Sequence, residues 1–287
     1  MSKYKTTSMN PDSPGAQFKI QNSKFKTRSF APVVAAERLT DDIARLVLEA
    51  PEIAQAAQPG HFVGVRAGQT EAPLLRRPFS IAGCDGRSQI ALIFRIVGMG
   101  TTLLAARRSG ETLDTIGPLG HPFDIYDDRP AVLVAGGLGI PPIAYLARTL
   151  RQRGTPATLY YGVRTKSELA VLGDTAHYVE RLIVSTDDGS EGHPGVISEV
   201  VAREVGGDCR LYACGPRPLL DVLIRLARNR HIPTQLSFEQ QMACGVGACM
   251  GCSIATAHGY QRVCTEGPVF PAEAFFTPSD SPNGVPR

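Results

Sequence analysis

The 287-residue sequence contains no tryptophan, although every other residue type is present. Hydrophobic residues at 43% and charged residues at 20% exclude a fibrous or disordered chain and leave an ordinary globular composition. No window approaches the ~20 consecutive apolar residues that a membrane-crossing helix needs. The 30 Lys and Arg nearly balance the 27 Asp and Glu, so the net charge is only +3, and the cations are spread along the chain. Without a basic stripe to follow a phosphate backbone, nucleic acid is not an expected partner. The early cations Lys3, Lys5, Lys19, Lys24, Lys26 and Arg28, set against Asp12 alone, adjoin no apolar stretch of the secretory kind. Residues 1–29 therefore read as a flexible basic arm, and a cytoplasmic location is expected. No internal repeat is visible.

What the chain does have is uneven distribution. Its length allows about two domains of ~100–200 residues each, with room for an appendage. Short β-type runs at 31–36, 43–48, 61–65 and 90–97 are separated by Pro59-Gly60, Gly83, Asp85-Gly86 and Gly117-Pro118. Closely spaced strands with tight turns predict an antiparallel barrel over residues 30–127, interrupted by a short helix at 101–108. After Asp127 the rhythm changes. Residues 131–135 form a continuous apolar run, as a strand buried on both faces requires, and a helical stretch follows at 141–153. Alternation continues with strands at 157–161, 181–185 and 210–213 and helices at 167–172, 196–205 and 216–230, predicting a parallel-sheet α/β domain over 128–236. From 237 to 287 the chain is rich in Gly and Cys and then in Pro. Its apolar positions are too few and too irregular for a core, so ligation is expected to organise this lobe.

Seven cysteines without an export signal are expected to be thiols or ligands, because cytosolic thiol buffers keep disulfides reduced. Four of them, Cys244, Cys249, Cys252 and Cys264, crowd into 21 residues. The C-x4-C-x2-C…C spacing is that of plant-type [2Fe–2S] ligation. Gly245, Gly247 and Gly251 permit the tight loop and let backbone N–H groups approach the sulfurs. A structural zinc site is the alternative, although zinc favours paired C-x2-C knuckles.

Four further stretches, two in each predicted domain, point to nucleotides. Gly136-Gly137-Leu138-Gly139-Ile140-Pro141-Pro142 lies between a buried strand and a helix, where glycines admit a pyrophosphate and the helix N-terminus supplies N–H donors. It is not the common G-x-G-x-x-G fingerprint, and packing alone can explain such a turn. Cys214-Gly215-Pro216 closes the last predicted strand, so both turns should face one crevice at the C-terminal sheet edge, with Cys214 near a nicotinamide ring or simply a small buried residue. In the barrel, Arg77-Pro78-Phe79-Ser80 gathers a cation, an aromatic ring and a hydroxyl. Gly98-Met99-Gly100-Thr101-Thr102 offers a second anion cradle.

In this order the R-x-[YF]-S, G-G-x-G-x-x-P and C-G-P stretches resemble the ferredoxin-reductase-like flavoproteins. Within that group, residues 237–252 and Thr186-Asp187-Asp188-Gly189-Ser190 are similar to the electron-transfer subunits of class 1B dihydroorotate dehydrogenases. The resemblance covers about residues 30–270; residues 1–29 have no counterpart, and the gap between Cys252 and Cys264 is shorter than is usual in the group. It implies an FAD held by Arg77, Pro78, Phe79, Ser80, Phe94, Arg95, Ile96, Gly100 and Thr101. It further implies NAD at Gly136, Gly137, Gly139, Cys214, Gly215 and Pro216, and a [2Fe–2S] cluster on Cys244, Cys249, Cys252 and Cys264. The implied partner is an FMN-binding dihydroorotate dehydrogenase catalytic subunit, two copies of each, working in pyrimidine biosynthesis. Other partners remain open, namely those of ferredoxin:NADP, sulfide or hydrogenase-type oxidoreductases. So does a monooxygenase reductase with a fused ferredoxin domain, or a zinc-stabilised binding module without redox chemistry. NAD against NADP is also open: Asp187 and Asp188 would repel a 2′-phosphate, whereas Arg164 and Lys166 would attract one.

Overall fold

The computed structural model describes residues 27–68, 72–125, 127 and 129–276; residues 1–26 of the expected basic arm and the tail beyond residue 276 lie outside them, while residues 27–29, expected to be part of the flexible arm, belong to the first strand because they pair with 115–117. Six strands, β1 (Thr27–Arg38), β2 (Ile43–Glu49), β3 (Phe62–Val65), β4 (Arg77–Cys84), β5 (Gln89–Arg95) and β6 (Thr112–Leu119), close an antiparallel barrel in the order β1-β2-β5-β4-β3-β6. Alternation drives this closure. Ile90, Leu92 and Phe94 of β5 turn inward while the residues between them are partly exposed, and they meet Leu46, Leu48, Val63, Val65 and Ile81 in one core. Each such side chain contributes about 1.5–3 kcal/mol by burial. Helix α1 (Pro51–Ala56) places Ile53 and Ala54 in that core.

Helix α2 runs from Met99 to Ala105, two residues earlier than the sequence suggests. The reason is local: the Thr101 hydroxyl oxygen accepts the backbone amides of Val97 (2.9 Å) and Gly98 (3.2 Å), satisfying donors that a helix start leaves orphaned.

The α/β part contains β7 (Ala131–Gly136), β8 (Ala157–Val163), β9 (Arg181–Thr186), β10 (His193–Pro194), β11 (Arg210–Cys214) and β12 (Thr234–Ser237), with helices α3 (Ile140–Arg153), α4 (Ile197–Glu204) and α5 (Arg217–Arg230). Pro141 and Pro142 occupy the first turn of α3, where a missing N–H costs nothing, and Gly154 at φ 75° ends it. The expected helix at 167–172 is a 3-10 helix, Lys166–Leu172, stopped by Gly173 at φ 52°. Helix α3 also joins the two parts: its Tyr145 hydroxyl donates to the Ala57 carbonyl of the barrel at 3.0 Å.

The C-terminal lobe corrects one expectation. It holds a hairpin, β13 (Ser253–Thr256) with β14 (Gly259–Arg262), and then β15 (Val269–Pro271), which returns to the main sheet as an antiparallel neighbour of β12. The sheet order is β10-β9-β8-β7-β11-β12-β15. Phe238, Phe270 and Phe275 stack and cross at centroid distances of 4.6–6.0 Å. Cys252, Ile254, Val263 and Cys264 bury against the same core as Leu223 and Leu236. Burial as well as ligation therefore organises the lobe. The sequence hides this because the contributing residues lie on irregular backbone without a period.

Candidate functional site

Two cavities open at the junction of barrel, α/β sheet and lobe. The first, about 270 Å³, lies against β4 and β5 and is walled by Pro78, Phe79, Ser80, Phe94, Arg95 and Thr101 from the barrel. The rings of Phe79 and Phe94 lie 4.9 Å apart and tilted by 37°, giving an aromatic wall. Arg77 stands beside this cavity over the start of α2. A Cβ at Gly100 would fall 2.6 Å from its Nε, so only glycine lets the guanidinium lie there. Ile96 does not line the cavity; its amide is spent on the Asp42 carbonyl at 2.7 Å. From the opposite side come Phe238, Glu239, Gln240 and Met242, the residues that lead into the cysteine loop.

The second cavity, about 510 Å³, sits at the C-terminal edge of β7, β8, β9 and β11 and is lined by Gly136, Gly137, Gly139, Gly215 and Pro216. The two predicted turns do meet: a Cβ at Gly139 would fall 2.1 Å from the Cys214 carbonyl, and one at Gly136 would fall 2.8 Å from Pro216 Cδ. Cys214 itself is wholly buried behind this wall and does not line it. Burial, and then the nearby Glu239 charge, push its thiol well up, so it stays protonated.

Arg95, Leu138 and Glu239 line both cavities. Sequence reasoning missed Glu239, and it missed Glu168 at the rim of the second cavity. Glu168 Oε1 accepts Nη2 of Arg95 (3.0 Å) and Nε of Arg164 (2.9 Å), and Arg95 is paired with Asp42 as well. Arg95 lies 73 residues from Glu168, so no local signal could have revealed their contact. Desolvation at the wall between the two cavities pushes the Glu239 carboxyl up, although part of the residue stays exposed.

The four cysteines form two pairs. Cys249 donates to the Cys244 sulfur, which also accepts amides from Ala248 (3.2 Å) and Val246 (3.5 Å). Partial burial raises that thiol, but these donors outweigh it and bring its pKa to about 6. Cys252 and Cys264 form the inner pair, with the Cys264 amide 3.4 Å from the Cys252 sulfur; burial, and then the Cys252 contact, push Cys264 up to about 12. Gly245 (φ 66°) and Gly247 (φ 87°) turn the loop, and a Cβ at Gly247 would fall 2.7 Å from Thr265 Cγ2. Arg262 Nη1 donates to the Gly247 carbonyl at 2.6 Å, fixing the loop to β14 and setting a cation near Cys264 and Cys252.

Among the described residues no three His, Cys, Asp or Glu side chains converge as a single-ion group. All four thiols are free of disulfides. Two thiol pairs with amide donors fit a two-iron cluster better than one tetrahedral zinc.

Comparison with known proteins agrees with this geometry. Residues 239–275 match the family model for the iron-sulfur cluster binding domain of dihydroorotate dehydrogenase B, and residues 133–224 match the oxidoreductase NAD-binding domain. The dihydroorotate dehydrogenase B (NAD(+)) electron transfer subunit of Geobacillus kaustophilus (strain HTA426) is 40% identical over 254 residues, covering 83% of this chain and 95% of that one. That of Shouchella clausii (strain KSM-K16) is 37% identical over 247 residues, covering 83% and 94%. Among solved structures, a chain of the NADH-dependent reduced ferredoxin-NADP oxidoreductase superposes with a TM-score of 0.76 at 26% identity, covering 86% of this chain and 89% of that chain. A ferredoxin NADP+ reductase from Neisseria gonorrhoeae, at a TM-score of 0.58 and 16% identity over 72% of this chain and 92% of that one, shares the fold.

Proposed function

The chain belongs to the family of dihydroorotate dehydrogenase B electron transfer subunits, and from this premise we propose that it passes electrons from a separate FMN-binding catalytic subunit to NAD+ in pyrimidine synthesis. When bound, a [2Fe–2S] cluster supplies one-electron carriage, FAD the conversion between one- and two-electron steps, and NAD+ the hydride acceptor.

The protein's own part is placement. Phe79 and Phe94 offer an aromatic apolar wall for a flavin ring, Ser80 a hydroxyl for its polar edge, and Arg77 a cation for its pyrophosphate. The glycines at 136, 137, 139 and 215 let a dinucleotide approach the backbone at the sheet edge. The cysteine pairs 244/249 and 252/264 would each hold one iron.

One observation carries the reading. The two cavities share Arg95, Leu138 and Glu239, and the segment 238–242 that closes the first runs directly into the first cysteine, which supports contiguous cluster, flavin and nicotinamide positions. A reaction that must exchange single electrons on one side and a hydride on the other needs that order. The partner is proposed to be an FMN protein assembled with this chain two to two.

The test is to co-express the full chain with an FMN-binding catalytic subunit, assay iron and flavin, and follow NAD+ reduction by dihydroorotate. Stoichiometric iron, FAD and dihydroorotate-driven NADH formation are expected. Zinc without iron, or a colourless chain, would overturn the redox reading. Iron and FAD with no coupling to dihydroorotate would overturn the choice of partner.

A further inference from the structure

Which dinucleotide the second cavity accepts is decided at the ends of β8 and β9, where the chain places two cations, Arg164 and Lys166, and two carboxylates, Asp187 and Asp188. A 2′-phosphate is captured by a free arginine or lysine, whereas a ribose 2′-hydroxyl is recognised by a free carboxylate. The question is which of these four groups is free.

Both cations are already paired with carboxylates, although the Arg164 side chain is 65% exposed and lines the cavity. Arg164 Nε donates to Glu168 Oε1 at 2.9 Å, and its Nη2 reaches the same oxygen. Glu168 is only 7% exposed, so its charge lies fixed beneath the guanidinium and offsets it there. It is held from the barrel side as well, by Arg95 Nη2 at 3.0 Å. Lys166 Nζ pairs with Glu191 at 2.8 Å and does not line the cavity. The Asp188 carboxylate accepts the Ser190 amide (3.0 Å) and hydroxyl (2.6 Å) and also faces away from the cavity lining.

Asp187 differs from all three. It is exposed and lines the cavity, and among the described residues its carboxylate receives no hydrogen bond. Asp42 and Glu168 pair with Arg95 and Arg164, and Asp187 adds a third carboxylate whose charge also acts on Arg164, so this rim carries one more negative than positive charge.

We infer that Glu168 and Asp187 together make the site select NAD(H) over NADP(H), Glu168 by withholding Arg164 from a 2′-phosphate and Asp187 by accepting the 2′-hydroxyl. This rests on the reading that the second cavity holds the dinucleotide. Glu168 is in this sense a positioning residue, acting through Arg164, and Asp187 a specificity residue acting on the ribose. The half-buried Arg95–Glu168 pair that fastens the barrel to the α/β domain thereby also tunes the coenzyme.

The test uses the full FAD- and cluster-loaded chain and follows reduction of its flavin by NADH and by NADPH in rapid mixing. Wild type is expected to favour NADH. Glu168→Gln keeps the size of the side chain but frees the Arg164 charge, and should raise the NADPH-to-NADH ratio of kcat/KM about tenfold, mainly through KM. Asp187→Asn, at an exposed position that does not threaten folding, should raise it by a similar factor. A ratio within twofold of wild type in both variants, or a wild type indifferent to the phosphate, would overturn the inference while leaving the nucleotide site intact. No flavin reduction by either coenzyme in wild type would overturn the site reading and the inference with it.

Discussion

The outer cysteines and the inner ones differ in exposure: Cys249 is open to solvent and Cys244 partly so, while Cys252 and Cys264 are buried. Replacing Cys249 with serine should therefore leave the inner pair, the barrel and bound FAD in place while removing one iron ligand. NADH reduction of the flavin should persist. Dihydroorotate-driven NAD+ reduction in the complex should fall on the order of a hundredfold, as expected when a metal centre loses its coordination. A second residue sets a pH limit. His61, whose Nδ1 accepts the Gln58 amide at 3.0 Å, is held down to about 4 by burial and then by the His121 charge. Between 4 and the ordinary value of 6.5 the unfolded chain binds more protons than the folded one. Stability is thus complete above pH 6.5 and is lost as pH falls toward 4, by roughly 3 kcal/mol. Urea unfolding of His61→Gln against wild type across that window should show a flatter pH dependence in the variant. At this scale the cysteine loop and the glycine turns could be located in the sequence, because ligand spacing and close backbone approach are local properties. Glu168, Asp42 and Glu239 could not, because their meaning comes from contacts across the domain junction.

Among the elements, four of the six barrel strands and the α3 and α5 helices were legible because period-2 and period-3.6 patterns record which face is buried. Others were not, β6 and the β13–β14 hairpin among them, and three have a plain physical reason. The four residues of β12 are too few to show a period, Lys166–Leu172 tightens into a 3-10 turn under the restraint of Gly173, and β15 is recruited by pairing Ser237 with Val269 rather than by its own pattern. That last strand and the three phenylalanines hold the lobe down. Phe270 is 3% exposed, and truncating it to alanine should cost about 3–5 kcal/mol, measured by chemical unfolding. Cleavage by a protease within residues 238–268 should rise in the same variant before the barrel unfolds. Unchanged protection would show that ligation alone secures the lobe.

At the scale of the molecule, the fold class followed from the change of rhythm after Asp127, but the junction where the two cavities share Arg95, Leu138 and Glu239 did not, since it arises only when the barrel packs on α3. No described helix is long and apolar enough to cross a membrane. The lobe leaves the sheet at Ser237 and re-enters it at Val269, and these two residues are direct partners across neighbouring strands. A module anchored at adjacent points in this way has no tether to swing on. Its separation from the flavin pocket is set by covalent geometry instead of diffusive docking, unlike a carrier domain on a free linker. Electron hopping between the two centres should accordingly proceed at the same speed in buffer and in concentrated glycerol, and a rate that declined with solvent viscosity would reveal a hinge.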